Sequence, residues 1–322
     1  MKSIGITGPQ GAGKTTFFRA LGAGISKADV ATVPVPDPRL DVLVELHESR
    51  KRVPAQIEAV DVHETARTQA AAIARLRDAD AVVVVVANFG GLEAEKTARS
   101  FAEELVLADT GPVENRLARA RKDASAKNEV PALESALALL EEGRFLSDGQ
   151  WERPALEVFS PLAPITLKPV IVLWNVDESS MGQSPPEIGL PAFVANASLE
   201  SEVAGLPNEE ALPLLEAYGV TEPVLGQLIS TVYRSLDLIT FFTAGDTESR
   251  AWEVRRGATA PEAAGAIHSD IQRGFIRAEV VSYDVLVECG SWDAAKAAGK
   301  LRVEGKDYVF QEGDVTHFRF NV

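Results

Sequence analysis

The chain has 322 residues, 46% of them apolar and 25% charged, which is the balance of a folded globular protein with room for two or three cores and not that of a disordered chain. Forty-seven acidic residues against 32 basic ones leave a formal charge of −15, so the chain as a whole repels phosphate backbones and any nucleic-acid contact has to be local. A single cysteine, Cys289, excludes an internal disulfide and cysteine-built zinc sites, and points to a reducing cytoplasm.

In chain order, residues 2–7 predict a short strand, residues 8–13 break it, and residues 14–21 resume with helical spacing at Phe17, Phe18 and Leu21. Pro34, Pro36 and Pro38 mark an extended connection before an amphipathic stretch at 40–46, and a second strand is expected at 56–62. Residues 81–87 form a β-branched run that suits a strand buried on both faces, as in a parallel sheet covered by helices. The longest apolar run, 79–89, is interrupted by Asp80 and too short for a bilayer, so no membrane span is expected. The step from Met1 to a glycine loop within eight residues likewise leaves no room for a signal peptide.

Residues 96–142 read as an inserted helical hairpin, with turn signals only near Gly111 and Pro131, and further strands are expected at 169–174 and 192–195. From about Leu238 the texture changes to short β-rich pieces separated by glycine turns, ending in a strand at 315–322. The expected fold is therefore α/β with a mainly parallel sheet. A nucleotide-binding domain covers 1–95 and 166–237, a helical insertion covers 96–165, and a small α+β domain covers 238–322.

Gly8-Pro9-Gln10-Gly11-Ala12-Gly13-Lys14-Thr15 has the spacing Gly, four residues, Gly-Lys-Ser/Thr, between a predicted strand and a predicted helix. Glycines let successive backbone amides turn inward as an anion nest, and the helix that follows adds its positive amino end, so phosphate is the natural occupant. Lys14 would reach the β and γ phosphates, Thr15 would give its hydroxyl to magnesium, and Thr16 follows at the start of the helix. Asp61 ends the second strand, where this fold class places a carboxylate that holds magnesium through water; the alternative is a turn residue. His63 and Glu64 come next and are candidates for positioning a water, against the reading of a solvated loop.

After the strand at 170–174 come Asn175-Val176-Asp177-Glu178, where guanine-specific relatives carry Asn-Lys-x-Asp; the lysine is absent and Glu178 holds the fourth position. This segment, together with Val33-Pro34-Val35-Pro36-Asp37-Pro38-Arg39-Leu40-Asp41, Glu104-Leu105-Val106-Leu107-Ala108-Asp109, Ile239-Thr240-Phe241-Phe242-Thr243-Ala244-Gly245 and His317-Phe318-Arg319-Phe320-Asn321-Val322, resembles the YchF or Obg-like ATPase family. The resemblance implies a P-loop NTPase domain, a helical insertion and a carboxyl-terminal TGS-type β-grasp domain. It further implies an ATPase that prefers adenine, uses Mg2+ and associates with ribosomes or RNA through the insertion and the TGS-like domain. Asn175, Asp177 and Glu178 would then meet the base, with Asn196, Ala197 and Ser198 closing the pocket where relatives carry Ser-Ala-Lys.

Three departures bear on catalysis. Only residues 22–32 fill the gap that a longer first switch occupies in relatives. Relatives read Asp-x-Ala-Gly where this chain has Asp61-Val62-His63-Glu64, and the loop at 88–93 lacks the histidine thought to assist hydrolysis in relatives. Phosphoryl transfer depends on positioning and on charge stabilisation around the γ phosphate, so these losses should lower turnover more than binding. The expected function is ATP binding, with GTP as the other candidate, and slow hydrolysis in a ribosome- or translation-associated regulator. The alternatives are a nucleotide-dependent binding module without hydrolysis, and a small-molecule kinase, which shares the Gly-Lys-Thr-Thr loop but needs an arginine-rich lid not evident here.

Arg116, Arg119, Arg121, Lys122 and Lys127 concentrate positive charge on the insertion against Asp123, which is either a solvated face or an RNA or ribosome contact. Cys289, His268 and His317 lack the partners of a metal site and read as packing residues. Phe241, Phe242, Phe275, Phe318 and Phe320 read as core, with the last pair alternating on one strand as a base-stacking surface would.

Overall fold

The computed structural model describes residues 1–22, 26–27, 29–62, 69–89 and 93–321. They divide into two compact units, one of Met1–Val33 and Ile57–Leu228, the other of Pro34–Gln56 and Ile229–Val322.

The chain begins with β1 (Ser3–Thr7), α1 (Lys14–Leu21), β2 (Ser26–Lys27) and β3 (Val30–Pro34). It continues through α2 (Pro38–Leu46), β4 (Arg52–Val53), β5 (Gln56–Asp61), α3 (Gln69–Asp78) and β6 (Ala81–Asn88). Lys14, Phe17, Phe18 and Leu21 are all buried in α1, the one-sided stripe that their helical spacing anticipates. In the first unit β5, β1, β6, β7 (Val170–Val176) and β8 (Ala192–Ala195) lie side by side, and each of the four neighbouring pairs is parallel. The antiparallel pair of β2 and β3 completes one edge. Residues 81–86 and all of β7 are buried without alternation, which is what a parallel strand covered on both faces requires.

The insertion is a helical hairpin of α4 (Ala94–Ala120) and α5 (Val130–Glu141), followed by the short α6 (Arg153–Phe159). Its first turn is displaced from the expected position. The Gly111-Pro112 pair does not end α4, which continues through both residues and turns only after Ala120. The missing N–H of Pro112 leaves the Ala108 carbonyl without a helical donor, and the Arg77 guanidinium donates to that carbonyl at 2.6 Å. Beyond β8, α7 (Ala197–Val203), α8 (Asn208–Glu216) and α9 (Val224–Ser235) follow. The buried carboxylate of Glu200 accepts from the backbone N–H of Val224 at 2.8 Å and so caps α9 from a distance.

The second unit carries β9 (Leu238–Thr243), β10 (Ser249–Arg255), α10 (Ala260–Ile267), α11 (Ser269–Arg273) and β11 (Phe275–Ser282). It ends with α12 (Tyr283–Cys289), α13 (Trp292–Ala297), β12 (Arg302–Glu304) and β13 (Asp314–Phe320). Its sheet runs β12-β11-β13-β9-β10-β4. Phe241, Phe275 and Phe310 sit in its core with Ala260, Ala263 and Ala264 of α10, and Phe318 packs against them. Phe320 alone of the five phenylalanines singled out in the sequence is substantially exposed, at 48%. His268 caps α11 by accepting from the Asp270 N–H, and His317 stacks on Trp292 at 4.1 Å. Among the described residues no group of three or more His, Cys, Asp or Glu could hold a metal ion, and no helix is long and apolar enough to cross a membrane.

The division into units differs from the sequence expectation: residues 96–165, expected as a separate insertion domain, lie in the first unit, and residues 229–237 lie in the second. Residues 34–56, expected in the nucleotide-binding domain, belong to the second unit. Leu40 and Leu43 of α2 are fully buried, and β4 pairs in parallel with β10. Ser49 donates to the Gly245 carbonyl at 2.6 Å, while Arg39 joins Asp37 at 2.7 Å and Glu312 at 2.5 Å and lies over the Phe242 ring. Sequence adjacency to α1 and β5 hides this membership, because the contacts that tie the segment to the second unit reach 196 positions along the chain to Gly245 and 273 to Glu312.

Candidate functional site

The strand registers align the carboxyl ends of the parallel strands. Ile6 lies beside Asp61, Thr7 beside Val84, and Asn175 between Ala87 and Ala195. Ligands in open α/β sheets bind at such a carboxyl edge, and here residues 8–15 leave β1 at that edge. Gly8 has φ +135, and a Cβ on it would lie 2.1 Å from the Val85 carbonyl oxygen; Gly13 has φ +96, and a Cβ there would lie 2.4 Å from Asn175 Nδ2. Glycine is thus required at both positions by backbone conformation and by space. The left-handed Gly13 starts α1, and its carbonyl accepts from the N–H groups of Thr16 and Phe17 at 3.0 and 3.1 Å.

Lys14, 9% exposed, arches back over the loop and donates from Nζ to the carbonyls of Gly8 at 2.5 Å and Pro9 at 2.7 Å. Thr15 Oγ1 donates to Asp61 Oδ2 at 3.1 Å, so the two side chains expected at magnesium touch each other. Asp61 is 1% exposed, and its own N–H donates to the Asp29 carbonyl at 2.9 Å. A hydroxyl beside a buried carboxylate is a set of hard oxygen donors, the chemistry that Mg2+ prefers.

The residues expected at the base divide into two groups. Asn175 Nδ2 donates to the Ala12 carbonyl at 2.9 Å and its Oδ1 accepts from the Ala197 N–H at 3.0 Å, so this buried amide braces the phosphate loop against the start of α7. Asn196 caps α7 by accepting from the Leu199 N–H and donates to the Val176 carbonyl. Asp177 accepts from the Ser179 hydroxyl and from Ser180, and these bonds hold its carboxyl below the usual carboxylate range. Glu178 and Ser198 are exposed. Pro9, Gln10 and Gly11 form the outer arm of the loop; His63 and Glu64 lie outside the described residues.

If Asn175 acts as a brace, Asn175→Ala should lower the affinities for ATP and GTP alike, by roughly tenfold, since two buried hydrogen bonds are worth on the order of 1–3 kcal/mol together. Glu178→Ala should instead change the ratio of the two affinities. Calorimetric titration of both variants with both nucleotides separates brace from reader.

Residues 238–321 match the family model YchF-GTPase_C, described as Protein of unknown function (DUF933). Over 99% of both chains the sequence is 36% identical to the "Ribosome-binding ATPase YchF" of Haemophilus ducreyi, and equally so to that of Bacillus subtilis. The chain belongs to the YchF family. This family member is also 32% identical to "Obg-like ATPase 1" of Oryza sativa subsp. japonica, covering 92% of that protein. The solved structure of the Schizosaccharomyces pombe YchF GTPase superposes with a TM-score of 0.90 at 28% identity, over 99% of this YchF-family chain and 97% of that one. The fold is therefore that of YchF: a P-loop α/β unit followed by the family's carboxyl-terminal region. The alignment to the Haemophilus ducreyi relative spans 358 positions, more than this chain's 322 residues, so that relative carries segments this YchF-family chain lacks.

Sequence reasoning passed over Arg75, Arg77 and Asp109 as working residues. Arg75 NH1 donates to the Asp61 carbonyl at 3.3 Å and lies 3.3 Å from the Asp29 carboxylate. Arg77 NH1 lies 2.9 Å from Asp109, which is completely buried inside the insertion. A carboxylate on the buried side of a helix, three residues before Pro112, was the signal in the sequence.

Proposed function

We propose that this chain binds Mg2+ and ATP at residues 8–15, hydrolyses the nucleotide slowly, and acts on the ribosome. The observation that carries the reading is the loop itself. Two glycines in conformations closed to other residues, and a buried ammonium held over the loop carbonyls, form a cradle whose natural occupant is a polyphosphate. Lys14 would exchange its carbonyl partners for β and γ phosphate oxygens, which hold it with stronger, charge-assisted bonds. Thr15 and Asp61 would hold Mg2+ between them, Asp61 through water. The ion, when bound, offsets charge on the phosphates. Asn175 keeps the loop in shape, and Glu178 with Ser198 faces the base.

Slow turnover follows from what surrounds the γ phosphate. The loop after β6 has no histidine, and no glycine follows Asp61 at the position where relatives carry one. His63 and Glu64 remain the candidates for orienting water. The test is titration with ATP and GTP, with and without Mg2+, followed by phosphate release in the presence and absence of ribosomes. Magnesium-dependent ATP binding with release well below that of longer relatives is expected; release equal to theirs would overturn the slow-turnover reading, and indifference to every nucleotide would overturn the site.

The names of the relatives support the ribosome as partner. On the insertion, Arg116 is paired in bidentate fashion with Glu129, and Arg121 with Glu134, so these two contribute less free charge than the sequence suggests. Arg119, Lys122 and Lys127 are exposed near the hairpin tip. Reversing these three charges together should weaken co-sedimentation with ribosomes severalfold, and the loss should shrink as salt is raised. Unchanged co-sedimentation would remove the insertion as a docking surface.

A further inference from the structure

Helix α3 carries two arginines two positions apart, so their side chains leave it about 200° apart around the axis. Each ends in a different place. On one side Arg75 donates to the Asp61 carbonyl and meets the Asp29 carboxylate, both at 3.3 Å, while the Asp61 carboxylate takes the Thr15 hydroxyl. A single residue, Asp61, thus separates the Arg75 guanidinium from the side chain expected at magnesium.

On the other side Arg77 enters the base of the helical insertion. It donates to the Ala108 carbonyl at 2.6 Å, to Leu162 at 3.1 Å and to Ala163 at 3.2 Å, and its NH1 lies 2.9 Å from the Asp109 carboxylate. Asp109 also accepts from the Thr166 N–H and hydroxyl, both at 2.8 Å. The Ala108 carbonyl is the one that Pro112 deprives of its helical partner, so α4 is continuous across a gap that Arg77 fills. Lys168 clasps the carboxyl end of α3, donating to the carbonyls of Leu76 at 3.0 Å, Ala79 at 2.5 Å and Arg77.

We propose that α3 relays occupancy of the metal–nucleotide site to the helical insertion, with Arg75 following Asp61 and Arg77 carrying the displacement to the proline gap of α4. The proposal rests on the reading of residues 8–15, Thr15 and Asp61 as that site. Thr15 and Asp61 are hydrogen-bonded to each other, and an ion on the Thr15 oxygen brings a metal-bound water to the Asp61 carboxylate; that new bond draws on the residue whose carbonyl Arg75 holds. A short helix fixed at its carboxyl end moves as a rigid piece, and packed elements switch between discrete arrangements instead of deforming smoothly. Because the coupling is reciprocal, a partner that grips the insertion changes the affinity for Mg·ATP by the same factor as Mg·ATP changes the affinity for that partner.

Hydrogen exchange on the full chain tests the relay, with Mg·ATP binding measured in parallel by calorimetry. Saturating Mg·ATP should slow exchange by about fivefold at amides 105–111 and 113 of α4 as well as at 57–61, a factor at the low end of measured couplings. Arg77→Gln and Asp109→Asn should bind Mg·ATP within about threefold of wild type and keep the response at 57–61, while losing it in α4. Arg75→Gln, at a half-exposed side chain that the fold tolerates, should weaken the α4 response even if the two buried substitutions unfold the protein. A wild-type chain that binds Mg·ATP without any change in α4, or an α4 response that survives in all folded variants, overturns the relay. A wild-type chain that fails to bind Mg·ATP removes the nucleotide reading instead, and calorimetry alone reveals that case.

Discussion

Lys14→Ala is expected to lower ATP affinity by at least about a hundredfold while leaving the melting temperature within a few degrees of wild type. The ammonium would make charge-assisted bonds to two phosphates, each worth on the order of 1.5–3 kcal/mol, and about 2.8 kcal/mol corresponds to a hundredfold in affinity. In the absence of nucleotide it bonds to the carbonyls of Gly8 and Pro9 on its own loop, and α1 accepts alanine readily. Calorimetric titration beside a thermal melt checks both halves. An affinity within threefold of wild type would mean that the loop does not hold a triphosphate by its lysine.

A chain ending at residue 237 is expected to lose cooperative folding, although the cut falls where the sequence places a domain boundary. It removes the strands and helices against which α2 and β4 pack, and leaves residues 34–56 attached to the first unit with nothing to cover them. Leu40 and Leu43 alone, each fully buried, would return roughly 3–6 kcal/mol of apolar burial to water, comparable to the whole stability of an ordinary domain. Calorimetric melting and size-exclusion chromatography of the 1–237 chain would show a broad, aggregating transition. A sharp melt within about 3 °C of the full-length chain, a shift that corresponds to only about 1 kcal/mol at this size, would show that the segment supports itself.

The parts of this molecule that were legible in the sequence are those whose causes are local. The phosphate loop is one, because the glycine spacing, the lysine and the α1 stripe lie within fourteen residues of one another. The central strands are another, because burial on both faces forces an unbroken apolar run. What escaped depends on partners far along the chain. The Gly111-Pro112 pair signals a turn by every local criterion, and α4 continues because Arg77, 31 positions from Ala108, supplies the missing donor. Asn175 was expected at the base on family resemblance, whereas both ends of its amide meet backbone groups that only folding brings near. The allegiance of residues 34–56 was hidden for the same reason.

The order of strands in the second sheet also has a consequence for the birth of the protein. β13, which follows β9 and β11 in the chain, lies between them in the interior of that sheet, and α2 and β4 are made long before their partners, which lie past residue 236. At about 5–20 residues per second, some 180 residues of elongation separate β4 from β9, roughly 10 to 40 s during which Leu40 and Leu43 have no native cover. For that interval the nascent polypeptide carries a stretch still seeking its fold, a window in which a chaperone has most to protect.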